Sequence, residues 1–256
     1  MDLSIWMDWY YRISKSLGYS KEKDQRATDL LSNMIKDRSL SYEELKALIF
    51  NKDALIFGAG PSLERDLLNL KSLLNRCVTI VADTAISAFI KFKIYPNIIV
   101  SDLDGKIEDL FEANKNCSIM VVHAHGDNIE ALERYVPLLR KVFGTTQVEP
   151  RDKVYNFGGF TDGDRAFFLA LEFKAKSIAL AGMDLGKKIG KYSKLKPNLN
   201  PYVKRLKLNF AKELLEWGSN LSRGIQLFNL TYQGIDLKGF LKISYEDYKN
   251  FLAKDI

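Results

Sequence analysis

Apolar residues recur at helical spacing through the first fifty positions and then gather into short continuous runs. Trp6, Trp9, Tyr10, Ile13 and Leu17 share one helical face, and Gly18 follows as a stop. A second helix is predicted over 20–36. Ser41-Tyr42-Glu43-Glu44 has the form of a capping box that opens a third helix through Ile49. From Lys52 the period shortens. Strands are predicted over 54–57, 77–82, 97–101, 118–122 and 177–181, with helical patterns over 63–74, 85–92, 107–113 and 129–139. Thr161 caps a further helix that runs through Leu171. The stretch 144–152 reads as a polar loop. A helix over 201–217, a strand over 225–230 and a last helix from Ser244 complete the chain. Alternating strands and helices predict an α/β fold with a Rossmann-like, mostly parallel sheet and flanking helices, preceded by an N-terminal helical segment. The expected division is 1–50 helical and 51–256 catalytic α/β.

Composition narrows this picture. The 256 residues are 46% hydrophobic, with 15 Phe, 12 Tyr and 3 Trp to fill a core. The tryptophans near the N-terminus read as core. A net charge of +6 suits anionic small molecules. The lysines are scattered and there is no arginine-rich tail, so nucleic acid is not the expected partner. Cys77 and Cys117 each open a predicted buried strand and read as reduced core residues. The N-terminus lacks the basic region of a signal peptide, and no run reaches the roughly 18 apolar residues of a membrane span. A cytoplasmic protein with no membrane partner is expected. Whether it forms a homo-oligomer is open.

The chemistry sits at strand ends. The strand over 97–101 runs into Asp102-Leu103-Asp104-Gly105. Alternation along a strand puts Asp102 and Asp104 on one side. Paired carboxylates there suit Mg2+, which takes oxygen ligands and substrate phosphates; a polar turn with a helix cap is the alternative. Gly58-Ala59-Gly60-Pro61-Ser62-Leu63, Asp83-Thr84, His125-Gly126-Asp127 and Asp184 also follow strands, and Thr161-Asp162-Gly163-Asp164 opens a helix. Ligands of open parallel sheets bind at this edge.

The glycine loop is read as a phosphate cradle of backbone N–H groups. Leu63 stands where a dinucleotide fingerprint needs its third glycine, no Gly-Lys-Ser/Thr ending makes it a Walker loop, and Pro61 removes one donor. Two histidines without clustered cysteines argue against zinc. His123 reads as a satisfied strand-end residue and His125 as a phosphate contact. Lys187, Lys188, Lys191, Lys194 and Lys196 either neutralise a polyphosphate or form a solvated loop. The set suits phosphoryl or nucleotidyl transfer, which rests on positioning and charge neutralisation.

These motifs, with Gly158-Gly159-Phe160 and Ala181-Gly182-Met183 beside them, occur in one order and spacing. Over residues 50–235 they resemble the archaeal 6-hydroxymethyl-7,8-dihydropterin pyrophosphokinase family, itself related to thiamine pyrophosphokinase. Gly105 stands where the thiamine enzymes have Ser, and Asp127-Asn128 departs from their repeated Asp. The resemblance implies transfer of diphosphate from the co-substrate ATP to the hydroxymethyl group of a reduced pterin, with AMP released, in tetrahydromethanopterin or folate-type cofactor synthesis. It implies Asp102, Asp104 and Asp127 as Mg2+ ligands. Gly58, Gly60, Pro61, Ser62, Asp83, Thr84, His125 and Arg165 would bind the nucleotide. Thr161, Asp162, Asp164 and Asp184 would face the pterin, and either Asp127 or Asp162 would orient the attacking hydroxyl. The alternative resemblance is to motility-associated glycosyltransferases that use a nucleotide-activated nonulosonic acid.

Overall fold

Short apolar strands need partners on both edges and cover on both faces, and the computed structural model shows how this chain supplies them. It describes residues 2–193 and 200–254, so Lys194 and Lys196 of the basic stretch lie outside the described residues. Three helices come first: α1 (Leu3–Leu17), α2 (Lys21–Ile35) and α3 (Tyr42–Ile49). Gly18 ends α1 at φ 74°, and Ser41 and Glu44 form the capping box of α3, worth about 1 kcal/mol. Then β1 (Asp53–Phe57), α4 (Leu63–Leu70), β2 (Val78–Ala82), α5 (Ile86–Lys91), β3 (Ile98–Ser101), α6 (Ile107–Lys115), β4 (Ile119–Ala124) and α7 (Ile129–Tyr135) alternate. The chain continues through β5 (Val142–Thr146), β6 (Val154–Tyr155), α8 (Asp162–Glu172), β7 (Ser177–Ala181), α9 (Pro201–Ser219), β8 (Gln226–Asn229), β9 (Leu241–Lys242) and α10 (Tyr245–Ala253).

The strands form one sheet in the order β6-β5-β4-β3-β2-β1-β7-β8-β9. Every pairing is parallel. Direction of travel reverses at β1, with β2 on one side and β7 on the other, and such a switch opens a crevice at the carboxyl ends of the strands.

Strand alternation splits the core in two. Leu55 and Phe57 face one side with Leu67, Phe89 and Leu110; Ala54 and Ile56 face the other with Phe167, Phe168 and Leu214. The first fifty residues belong to both cores. Ala27, Leu31 and Ile35 of α2 join the first, whereas Trp6, Ile13, Leu45 and Ile49 of α1 and α3 join the second.

Two readings of the sequence change. The expected polar loop over 144–152 begins as β5, all five of whose residues are buried between β4 and β6. Gly144 is tolerated there because Ile35 and Val154 pack on the space a side chain would fill. Cys77 is buried, but Cys117 is exposed, at φ 75° in the turn before β4; both are free thiols. Among the described residues no helix is long and apolar enough to cross a membrane.

Candidate active site

Two cavities adjoin at the carboxyl edge of the sheet. The larger, about 310 Å³, lies over the ends of β3 and β4 and is lined by Asp102, Asp104, His123, His125, Gln147 and Tyr19, among others. The smaller, about 90 Å³, lies over the β1/β7 switch, against Gly58, Gly60, Pro61, Thr84, Gly182 and Asp184. Thr161, Asp162 and Lys204 line both.

An acidic cluster stands near this junction. One carboxylate oxygen from each of Asp83, Asp102 and Asp162 lies within 4.8 Å of the others. Asp83 follows β2 and is fully buried, and Ser101 Oγ donates to its Oδ2. Asp162 is the first residue of α8, where the helix dipole favours an anion. Asp102 is presented by a turn rather than a strand: β3 stops at Ser101, Leu103 takes φ 64°, and Leu103 N donates to Ser101 Oγ at 2.8 Å. The alternation argument for Asp102 and Asp104 therefore fails, although both still line the larger cavity. Gly105 packs on Asp83, and any Cβ there would strike that carboxylate.

The acids that the fold gathers differ from those expected to act together. Asp127 is exposed and lines neither cavity; its N–H donates to His125 Nδ1 at 3.3 Å in the turn after β4. Asp83, expected on ribose or base, lies beside Asp102 and Asp162. His125 faces the cluster, with Nε2 3.4 Å from Asp102 Oδ2. Asn128 ties the two strand ends together, donating to Asp102 O at 2.8 Å and His123 O at 2.7 Å.

Asp164 and Arg165 lie beneath the site. Asp164 is fully buried and accepts from the N–H groups of Phe160 (2.6 Å) and Thr161 (2.9 Å), so it closes the capping box of α8 instead of facing ligand. Arg165 is 2% exposed and lines neither cavity; its Nη2 donates to Phe160 O at 3.3 Å, while Nε and Nη1 have no partner. Burial draws the guanidinium down to about 10, against the pull of Asp164, Asp162 and Asp102. It remains protonated at neutral pH and offsets part of the acidic charge above it.

The glycine loop is placed as expected, but its N–H groups are engaged. Gly58 N donates to Ala181 O (3.0 Å), Gly60 N to Gly182 O (2.8 Å), Ser62 N to Asp184 Oδ2 (3.2 Å) and Leu63 N to Gly60 O (3.2 Å). Pro61 has none. The loop is therefore a smooth wall rather than a cradle. A Cβ at Gly60 would occupy the position of the Asp184 carboxylate. Ser62 Oγ bridges Asp184 Oδ2 (2.9 Å) and the buried Asp66 Oδ2 (2.8 Å), and burial raises the pKa of both carboxylates. Positive charge comes from Lys188 and Lys204, which line this cavity, while Lys191 is held by Glu64 at 2.6 Å.

His123 departs most from expectation. It is 3% exposed, at the floor of the larger cavity, and at most one ring nitrogen is met, by the neighbouring Gln147 side chain. Burial, seconded by the charge of Arg165, holds its pKa well below 6.5. Tyr19, Gln147, Phe160 and Lys207 also line that cavity; of these only Phe160 belongs to a sequence motif, and Gln147 directly follows β5.

Comparison with known proteins adds sequence kinship. Residues 26–190 match the family described as 6-hydroxymethylpterin diphosphokinase MptE-like. The chain is 48% identical over 227 residues to a Pyrococcus furiosus protein named 6-hydroxymethyl-7,8-dihydropterin pyrophosphokinase, covering 85% of this chain and 94% of that one. Proteins of the same name from Methanocaldococcus jannaschii and Methanothermobacter thermautotrophicus are 44% and 42% identical, over 233 and 222 residues, each match covering 85% of this chain and 95% of the relative. A solved structure, the MAf glycosyltransferase from Magnetospirillum magneticum AMB-1, superposes with a TM-score of 0.58 at 15% identity. That match covers 91% of this chain but only 41% of the other, and it speaks to fold alone.

Proposed function

The chain belongs to the 6-hydroxymethylpterin diphosphokinase MptE-like family, and on that premise we propose that it transfers diphosphate from ATP to the hydroxymethyl group of 6-hydroxymethyl-7,8-dihydropterin and releases AMP. The observation that carries this reading is the Asp83–Asp102–Asp162 cluster near the junction of two cavities. A diphosphate passing between two ligands needs such a junction.

The three carboxylates offer only oxygen donors, which fits Mg2+. When bound, the ion neutralises phosphate charge and orients the donor. The chain supplies the rest. The smaller cavity holds the nucleotide against the glycine wall, and Lys188 and Lys204 bring positive charge to its phosphates. Asp162 lines both cavities and orients the acceptor hydroxyl; Asp127 lines neither. The hydroxyl oxygen attacks the β-phosphorus, the bond to the AMP oxygen breaks, and the hydroxyl proton leaves through a carboxylate to water. Buried Arg165 limits the repulsion among the acids before ligands arrive. The reading carries a cytoplasmic location and a place in reduced-pterin cofactor synthesis.

The test is AMP release from ATP and Mg2+ in the presence and absence of reduced hydroxymethylpterin. Pterin-dependent AMP with formation of the pterin diphosphate is expected. ATP left intact, alongside turnover of a CMP-activated nonulosonic acid, would overturn the reading.

A further inference from the structure

The larger cavity has a polar floor and an aromatic wall that the acidic cluster does not explain. On the floor, His123 is buried beside Gln147, and at most one of its ring nitrogens is met, by the Gln147 side chain. A neutral imidazole offers one N–H donor and one acceptor, and a buried group left without its hydrogen bond is costly. A fold keeps such a residue where a ligand completes it. Beside it, the Gln147 amide is held in one orientation. Its Nε2 donates to Asp24 Oδ2 at 2.8 Å, which turns its oxygen the other way.

The hold on Gln147 comes from the N-terminal helices. Asp24 of α2 also accepts from Tyr10 OH (2.6 Å) and Gly126 N (2.7 Å), and Trp6 Nε1 donates to Gln147 O at 2.8 Å. The wall comes from two distant loops. The rings of Tyr19, after α1, and Phe160, before α8, lie 6.1 Å apart. Lys207 of α9 sits over them, with Nζ 5.6 Å from the Tyr19 ring and 5.9 Å from the Phe160 ring. An aromatic wall above a fixed donor–acceptor floor selects a flat heterocycle with an amide-like polar edge.

We propose that this cavity is the acceptor subsite, in which His123 and Gln147 read the polar edge of the heterocycle, Tyr19 and Phe160 cover its face, and the N-terminal helices complete the site. This rests on the diphosphate-transfer reading, and it assigns the nucleotide to the glycine-loop side alone. It also gives the first fifty residues a part in substrate binding.

The experiment measures two dissociation constants by calorimetry, one for the reduced hydroxymethylpterin and one for the α,β-methylene analogue of ATP with Mg2+. The wild-type chain is compared with Tyr19→Ala, His123→Asn and Lys188→Ala. Tyr19→Ala and His123→Asn are expected to weaken pterin binding about tenfold or more and to leave the nucleotide analogue within about twofold. Lys188→Ala is expected to do the reverse. Tyr19 is partly exposed, so Tyr19→Ala decides the matter if His123→Asn does not fold. Pterin affinity unchanged in Tyr19→Ala, or pterin and nucleotide affinities falling together, overturns the subsite assignment while wild-type AMP release leaves the reaction standing. A wild-type chain that neither binds the pterin nor releases AMP overturns both.

Discussion

The two cavities present opposite answers to the same problem of binding a polar ligand. Around the glycine loop, the N–H groups of Gly58, Gly60, Ser62 and Leu63 are committed within the protein. Over β4, a buried histidine keeps at least one ring nitrogen without a partner. The first wall is complete without ligand, so it selects by shape and by the lysines at its rim. The second is incomplete, so it selects by hydrogen bonds whose absence would be felt. Discrimination is steepest where buried polar groups of the site are left unpaired by the wrong ligand. The comparison therefore assigns chemical discrimination to the acceptor side and tolerance to the nucleotide side, with the acids near the junction serving both.

The largest effect is expected at that junction. Asp102→Asn or Asp162→Asn removes one charge from the cluster and should lower turnover by about a thousandfold, the loss of roughly 4 kcal/mol of charge stabilisation. The fold should persist, because easing carboxylate repulsion does not open the core. Asp127→Asn should leave turnover within about threefold, as expected of an exposed surface charge. Steady-state rates with matched melting curves check all three. A drop for Asp127→Asn equal to that for Asp102→Asn would return Asp127 to the ligand set.

A smaller effect tests the claim that the glycine wall works by shape. In Gly60→Ala the new methyl meets the Asp184 carboxylate and Gly182 O, neither of which can retreat freely. Destabilisation of about 2 kcal/mol is expected, together with weaker nucleotide binding and unchanged pterin affinity. Denaturant melts and the two binding constants measure it. A stable Gly60→Ala chain with normal nucleotide affinity would mean that the wall is softer than its contacts indicate.

Much of this architecture was legible in the residue pattern, and the failures have physical causes. Strand-turn-helix alternation from residue 52 revealed the parallel sheet, because buried parallel strands are short and continuously apolar. β5 escaped because Gly144 and two threonines read as turn chemistry; burial on both faces overrode that local preference. The gathering of acids at one sheet edge followed from strand ends alone. Which acids meet did not. Asp102 depends on a left-handed Leu103, and Asp127 turns away behind Asn128, and neither conformation is written in spacing. The glycine loop was recognisable as a loop, but the partners of its Gly58, Gly60 and Ser62 N–H groups lie on β7 and the residues after it, more than a hundred positions away. Tyr19, Gln147 and Lys207 belong to no motif, and only tertiary structure brings them together.

The last test probes the unfinished floor without any ligand. His123 is buried and its pKa is held well below 6.5, first by burial and then by the charges of Arg165 and His125, with Asp102 and a hydrogen bond to Gln147 pulling the other way. The folded chain therefore keeps it neutral while the unfolded chain protonates it near 6.5. Below that pH the unfolded state binds more protons, so stability falls as pH falls, with a slope of up to about 1.4 kcal/mol per pH unit from this one group. Above 6.5 both states are neutral and the contribution vanishes. Buried Asp66, Asp164 and Asp184, whose pKa values burial raises, act with the opposite sign and take up protons in the folded chain as the pH falls. Comparing wild type with His123→Gln between pH 7 and pH 5 cancels those shared terms. Glutamine does not titrate, so the variant should lose less stability on acidification than the wild type, whatever its stability at pH 7. Parallel curves would mean that His123 finds a partner, or water, on protonation. The floor of the larger cavity would then be as complete as the glycine wall, and the contrast between the two halves of the site would rest on the aromatic face alone.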